Sequence, residues 1–451
     1  MKRIGRYEIR GLLGKGGMGV VYKAAMPVTG RIVALKVCRP AEMLAAVAGL
    51  EAVRRDFFRE AKAMADIRHP NVARIWDVDE AGGEAFFVME YYCDNLGVAM
   101  GESFVVERPT RRLSVDVSLR YASQLLSALA RLHFAGMVHR DVKPYNLMLT
   151  DEDDVKLIDF GLSRLRGEVH KGPRGSVVGS PYYAAPEQEA DPDSADERAD
   201  LFSVGVTLYR MLTGELPQEA AKKVKSIVDL NPDLDSDWDD FFRIALHDRQ
   251  NGRFQSAREM LAAVDGLRIG FARRKAQVCA LIEEPEPPAP GATPPLALRS
   301  RPARVPLKSG RAAFGLDALW RPQHYARNDF QDFGDGTALD RASGLVWEIS
   351  GSPYPLTLEE AGAYLASLNE RRFGGRTGWR LPTVPELCSL LRERARPGEF
   401  CLTPVCDPSK RRLWSADRKS FIAAWYADAE MGFVWWQDAT CSFYVRAVAG
   451  S

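Results

Sequence analysis

The sequence has no apolar run approaching bilayer length, and its start, MKRIGRYEIRGLLG, lacks the apolar core of a secretory signal. A receptor anchored by a membrane helix is therefore not expected. Excess charge is missing as well. The 61 Lys and Arg against 60 Asp and Glu leave a formal net charge of +1, so neither nucleic acid nor an acidic membrane is implied as the main partner. The 7 cysteines include no Cys-x-x-Cys pair and suit reduced thiols better than a disulfide framework. The 6 histidines (69, 133, 139, 170, 247 and 324) show no zinc-ligand spacing, and no internal repeat is visible. These absences leave a soluble, cytoplasmic protein as the expectation.

What is present begins with size. A chain of 451 residues, 46% hydrophobic and 27% charged, is long enough for two or three globular domains. Residues 283–315, EEPEPPAPGATPPLALRSRPARVPLKSGRAAFG, are rich in proline and basic residues, lack a helix or strand period, and read as a linker. The expected domains are 1–275, then a tail helix and linker over 276–315, then 316–451. Seven of the 9 tryptophans follow the linker, so the two halves differ in kind.

In the first half, VHRDVKPYNLMLT (138–150) sets a histidine, an arginine, an aspartate, a lysine and an asparagine in an apolar frame. That suits charged groups held at fixed places near a dry interior. Upstream, Gly14, Gly16 and Gly19 lie between two strand-like runs, with Val21 following. A glycine turn followed by a strand, not a helix, suggests a flap whose backbone N–H groups cover phosphates. Lys36 sits inside the apolar run IVALKV, where a lysine is costly unless paired. Glu60 offers the partner, on a helical stretch with Phe57, Ala61 and Met64 on its apolar side, and the pair would hold the ammonium ready for phosphate oxygens.

Further on, a strand delivers Asp159-Phe160-Gly161, and Asn146 offers a second oxygen. Mg²⁺ favours a few such ligands together with phosphate oxygens. Asp141 is the candidate to accept a hydroxyl proton, and Lys143 the candidate to neutralise charge on the transferred group. Arg140 can pair with a phosphorylated loop. Then come GSPYYAAPEQ (179–188) and an apolar helix headed by Asp200, with Arg253 expected as the buried partner of Glu187.

The order glycine flap, lysine, helix glutamate, HRDxKxxN, DFG, APE and aspartate-headed helix resembles the bacterial eukaryotic-like (Hanks-type) Ser/Thr protein kinases over about residues 5–268. The resemblance implies ATP and Mg²⁺ as cofactors and phosphoryl transfer to protein hydroxyls. It implies that Lys36, Glu60, Asp141 and Lys143 are the catalytic residues and that Asn146 and Asp159 hold the metal. ATP would meet Gly14, Gly16, Gly19 and Lys36, with Val21, Ala34 and Met148 sandwiching the adenine. Met89 would be the gatekeeper and Glu90–Tyr92 the hinge, with His139 packing inward. Lys143, two residues after Asp141, matches the Ser/Thr subclass. Ser180 stands where the family usually has threonine, and Ala184 replaces a larger residue often found before Ala-Pro-Glu. Segment 162–185 contains no threonine; Ser176 and Ser163 are its candidate regulatory phosphosites. The alternative is a binding or scaffold protein with an inactive kinase-like half, and the complete residue set speaks against it.

In the second half, DFQDFGDGTALDRASGLVWE reads as short strands around a Gly-Asp-Gly turn. LTLEEAGAYLASLNERR reads as an amphipathic helix with Leu358, Ala361, Tyr364, Leu365 and Leu368 on one face. The series DGT…SGLVW…WRLPT-x-x-EL…WS…YVRAV resembles the bacterial Lcl-type C-terminal domain over about 328–449, a family similar to C-type-lectin-like and formylglycine-generating-enzyme folds. It implies recognition of a ligand or protein. Cys401 and Cys406 have a spacing similar to the catalytic pair of formylglycine-generating enzymes, but the accompanying glycine–serine-rich motif is absent, and structural thiols are the expectation. The fold class expected overall is α+β: a bilobal kinase fold, a proline-rich linker and a small α+β domain.

Overall fold

The apolar run around Lys36 forms strand β4 (Ile32–Cys38), and its alternation supplies two cores at once. Val33, Leu35 and Val37 pack with Ile4, Tyr7, Ala24, Phe86 and Val88 on one face of the sheet. Ala34 faces the other way, where Phe57 and Ala61 join Phe87 and Met89. Lys36 shares that second face by parity. The sheet is antiparallel, in the order β1 (Arg3–Ile4), β2 (Tyr7–Lys15), β3 (Gly19–Ala25), β4, β6 (Glu84–Glu90) and β5 (Ile75–Ala81). Helix α1 (Leu50–Asp66) buries Val53, Phe57, Glu60, Ala61 and Met64, a stripe at helical spacing that carries the glutamate inward with its apolar neighbours.

Strand β7 (Asp94–Asn95) leads through helix α2 (Leu96–Met100) to the long helix α3 (Val115–Phe134), whose cap Ser114 accepts from the Val117 N–H. Strands β9 (Leu147–Leu149) and β10 (Val155–Leu157) form a small sheet with β7, while β8 (Met137–Val138) pairs with β11 (Arg164–Leu165). After α4 (Pro186–Ala190), helix α5 (Glu197–Thr213) is buried at every residue from Ala199 to Thr213. An apolar helix buried on all sides is a fixed post, and it carries Asp200 in its first turn. Helices α6 (Ile227–Leu230), α7 (Ser236–Ala245) and α8 (Ala257–Leu281) complete this part.

This is a computed structural model, and it describes residues 2–15, 19–40, 49–103, 105–159, 182–190, 194–217, 224–281, 296–393 and 401–450, with 42, 46, 164 and 165. The chain divides into two units, Met1–Arg274 and Lys275–Ser451. Among the described residues, no helix is long and apolar enough to cross a membrane.

The second unit has a four-stranded sheet of β12 (Phe330–Asp332), β13 (Thr337–Asp340), β14 (Leu345–Glu348) and β18 (Val448–Gly450). A three-stranded sheet of β15 (Arg412–Arg418), β16 (Ala423–Asp428) and β17 (Phe433–Asp438) accompanies it. The expected amphipathic helix is present as α10 (Leu358–Glu370), opened by a Thr357–Glu360 capping box. A second box, Thr383–Glu386, opens α11 (Val384–Leu390). Trp347 and Trp425 are buried in one core with Val384, Leu387 and Leu390.

The sequence expectation of a linker over 283–315 needs correction from residue 296 onward. Residues Leu307–Phe314 form helix α9, and Val305, Phe314 and Leu316 join the core of Trp347 and Trp425. The Val305 N–H donates to the Arg418 carbonyl at 2.8 Å, and Arg299 makes a two-pronged ion pair with buried Asp417 at 2.9 and 2.8 Å. Helix α9 turns Leu307, Gly310 and Phe314 toward this core at helical spacing, while residues 296–306 dock through single anchors such as Arg299 and Val305. Cys401 and Cys406 are both buried, and burial pushes the Cys406 thiol up.

Candidate active site

Lys36 and Glu60 meet between β4 and α1. The Lys36 Nζ donates to Glu60 Oε1 at 2.9 Å and to Asp159 Oδ1 at 3.1 Å. Burial opposes a charge on Lys36, but Asp159 and Glu60 outweigh it and hold the ammonium pKa above its ordinary value. One cation is thus fixed between a buried carboxylate and one that is 45% exposed. Asp159 is the more accessible of the two carboxylates.

The loop after β8 gathers the next group. Lys143 Nζ donates to Asp141 Oδ2 at 2.7 Å, and Asn146 Nδ2 donates to the same oxygen at 3.0 Å and to the Asp141 carbonyl at 2.8 Å. Asn146 is buried and commits its amide N–H groups to Asp141, leaving Oδ1, the atom a hard cation prefers, as its remaining donor atom. His139 ties this loop to the strand end carrying Asp159. Its Nε2 lies 3.1 Å from the Ile158 carbonyl, while Nδ1 accepts the Asp141 N–H at 3.3 Å, a pairing that selects the Nε2–H tautomer. The Ile158 N–H returns to the Asn146 carbonyl at 3.0 Å.

Asp200 holds the loop from below. Its Oδ2 accepts the His139 N–H at 2.9 Å, and its Oδ1 accepts the Arg140 N–H at 2.7 Å. His133 Nε2 lies 2.8 Å from Oδ2. Burial would raise the Asp200 pKa, but the hydrogen bond from His133 and the neighbouring histidines hold it below the usual carboxylate value. Arg140 and Asp159 both have left-handed backbones, at φ 69° and 65°, a conformation unusual for residues with a side chain and often found at functional sites.

The other nucleotide-site candidates lie on the same sheet and the strands beside it. Val21 is opposite Lys36, and Ala34 is opposite Met89. Glu90 closes β6, and the Tyr92 hydroxyl donates to its Oε2 at 3.1 Å. Met148 pairs with Asn95 of β7. Gly19 is required by its surroundings, since a Cβ there would lie 2.2 Å from the Val37 carbonyl oxygen. Gly14 faces open space, where its backbone can approach a ligand. Gly16, Ser163, Ser176 and Ser180 lie outside the described residues.

The expected Glu187–Arg253 pair is present and two-pronged, at 2.7 and 2.8 Å, with the Arg253 side chain fully buried. Gln188 was not anticipated from sequence. Its Nε2 donates to the Arg140 carbonyl at 2.9 Å, and its Oε1 accepts the Ala185 N–H, linking the Ala-Pro-Glu turn to the loop of Asp141. His133 was also missed, and the only sequence signal for it is its position six residues before His139.

A family model described as protein kinase domain matches residues 7–261, and one described as Lcl C-terminal domain matches residues 336–449. A probable serine/threonine-protein kinase of Clostridium acetobutylicum is 33% identical over 277 residues, covering 59% of this chain and 40% of that protein. Serine/threonine-protein kinase pkn3 of Myxococcus xanthus is 37% identical over 228 residues, covering 49% and 40%. The chain therefore spans about 40% of the length of these curated relatives. The crystal structure of the Mycobacterium tuberculosis PknI kinase domain aligns at 27% identity with a TM-score of 0.45, covering 59% of this chain and 98% of that one.

Proposed function

Because the chain belongs to the protein kinase family, we propose that it transfers the γ-phosphoryl group of ATP to serine or threonine hydroxyls of proteins. The observation that carries this reading is the joint placement of Lys36 between Glu60 and Asp159, and of Asp141 between Lys143 and Asn146. Lys36 orients the phosphates, and Asp141 accepts the proton of the attacking hydroxyl. Lys143 offsets negative charge on the group in transfer. Asn146 and Asp159 would hold Mg²⁺, which when bound neutralises phosphate charge. Val21, Ala34 and Met148 enclose the adenine, Met89 limits the depth of its pocket, and Glu90–Tyr92 supply backbone contacts. Gly14, Gly16 and Gly19 cover the phosphates.

In this reading residues 1–275 are the kinase domain and act in the cytoplasm. Phosphate on Ser176 or Ser163 orders the neighbouring segment through Arg140. The second unit recognises a ligand or protein that brings substrate. Label transfer from γ-labelled ATP to a protein substrate tests the catalytic reading, with Asp141→Asn as control. Equal labelling by both forms would overturn it.

A further inference from the structure

Glu102 is tied at both ends. Its backbone carbonyl accepts the Tyr145 hydroxyl at 2.8 Å, and Tyr145 belongs to the loop of Asp141 and Lys143. Its carboxylate Oε2 accepts the Tyr183 hydroxyl at 2.9 Å, and Tyr183 lies just before the Ala-Pro-Glu turn. Glu102 and Tyr183 are both buried, so the bond between them forms where water does not compete, whereas Tyr145 is partly open to solvent. Gly97 makes the first contact possible, because a Cβ there would meet the Tyr145 ring at 3.0 Å.

The segment around Glu102 is anchored without Tyr183. Arg210, fully buried on α5, donates to the carbonyls of Val106 and Arg108 at 2.6 and 3.1 Å. Arg111 donates to the Ala99 and Val98 carbonyls at the end of α2. The Thr110 and Leu113 N–H groups donate to Gly214 and Met211. The Glu102–Tyr183 bond is therefore not what secures the end of α2 or residues 105–113. What it constrains is the other end. Tyr182 has a left-handed backbone at φ 74°, so the segment entering the Ala-Pro-Glu turn needs outside support.

We infer that Glu102 is a positioning residue for the protein substrate. Through Tyr183 and Tyr145 it sets segment 182–185 in register with Asp141, so that a docked peptide presents its hydroxyl to that carboxylate. The inference rests on the phosphotransfer reading above and concerns the peptide side of the site, not the nucleotide side.

The test is steady-state kinetics of the full chain on a serine-containing peptide with MgATP, varying each substrate in turn. Tyr183→Phe and Glu102→Ala should raise the peptide KM about tenfold while the ATP KM stays within about twofold. Glu102→Gln, whose amide oxygen still accepts from Tyr183, should recover most of the loss. Tyr183→Phe removes only a hydroxyl and keeps the test decisive should Glu102→Ala unfold. An unchanged peptide KM in Tyr183→Phe overturns the inference, as does a parallel rise in both KM values. If the wild-type chain transfers phosphate to no peptide and not to itself, the phosphotransfer reading falls and this inference with it.

Discussion

Lys36 and Glu60, separated by 24 positions in sequence, meet at 2.9 Å with both side chains largely buried. Neither would be stable there alone, because an unpaired buried charge is expensive. Their contact fixes α1 against the sheet and leaves the ammonium also facing Asp159 at 3.1 Å.

Lys36→Met and Asp159→Ala should each lower the rate of phosphoryl transfer about a hundredfold or more, by removing preorganised charge from the site. Glu60→Gln should lose less, since its amide oxygen can still accept from Lys36. Initial rates at saturating ATP and Mg²⁺ measure this. Near-wild-type turnover in either of the first two variants would show that the site has been misassigned.

Asp200 predicts a pH dependence with a definite sign. Its folded pKa lies below the ordinary value of 3.8. The folded chain therefore binds this proton more weakly than the unfolded chain does. The resulting stability is present above 3.8 and is lost as pH falls through the lower folded value. Asp200→Asn should destabilise the protein at neutral pH by about 1–3 kcal/mol for each backbone donor left unsatisfied. The gap between wild type and variant should narrow on acidification, as read from urea midpoints at about pH 7 and about pH 3. A gap independent of pH would remove Asp200 from this role.

Most of this site was legible because its residues fall in short stretches with a fixed local logic. A lysine in an apolar strand demands a carboxylate, and an aspartate at a strand end beside a glycine suggests a cation. The Glu187–Arg253 pair followed from the same reasoning. What sequence could not show were contacts with no local pattern. Tyr183 and Glu102 are 81 positions apart, and a hydroxyl meeting a carboxylate leaves no periodic trace. Residues 296–315 were misread for a related reason. Val305 stands alone before a helix of only 8 residues that buries Gly310 and Phe314, too short a run to announce a buried face, and the Arg299–Asp417 pair spans 118 positions.

The Glu187–Arg253 pair should be among the stronger structural contacts of the first unit. Arg253 is fully buried, and its Nε also donates to the His247 carbonyl at 2.7 Å. Arg253→Ala should cost about 3–5 kcal/mol, because a largely buried carboxylate loses its partner. Arg253→Lys should rescue only part, since an ammonium does not match both carboxylate oxygens as a planar fork does. Chemical denaturation of the three forms provides the measurement. An Arg253→Ala loss below about 1 kcal/mol would place this pair with ordinary surface ion pairs.

Residues 296–315 belong physically to the second unit, which makes a sharp prediction about where it can be cut. A fragment 316–451 loses the Arg299 guanidinium and the Ala303 N–H from Asp417, a carboxylate with no solvent exposure. It also loses the Val305 carbonyl that accepts the Trp425 Nε1–H at 3.0 Å, and the Phe314 ring packed edge-on against Trp425 at 5.2 Å. Stranding the buried charge alone should cost about 3–5 kcal/mol, a large share of what a small domain has to spare. Fragment 296–451 should unfold cooperatively and keep a near-ultraviolet signal from its packed tryptophans. Fragment 316–451 should bind a hydrophobic dye and lose that signal while retaining secondary structure. Asp417→Asn in the longer fragment should be milder than the truncation, because the buried charge is removed together with its need for Arg299. If the two fragments melt at the same temperature with the same tryptophan signal, the docking of residues 296–315 contributes nothing to the fold of this unit.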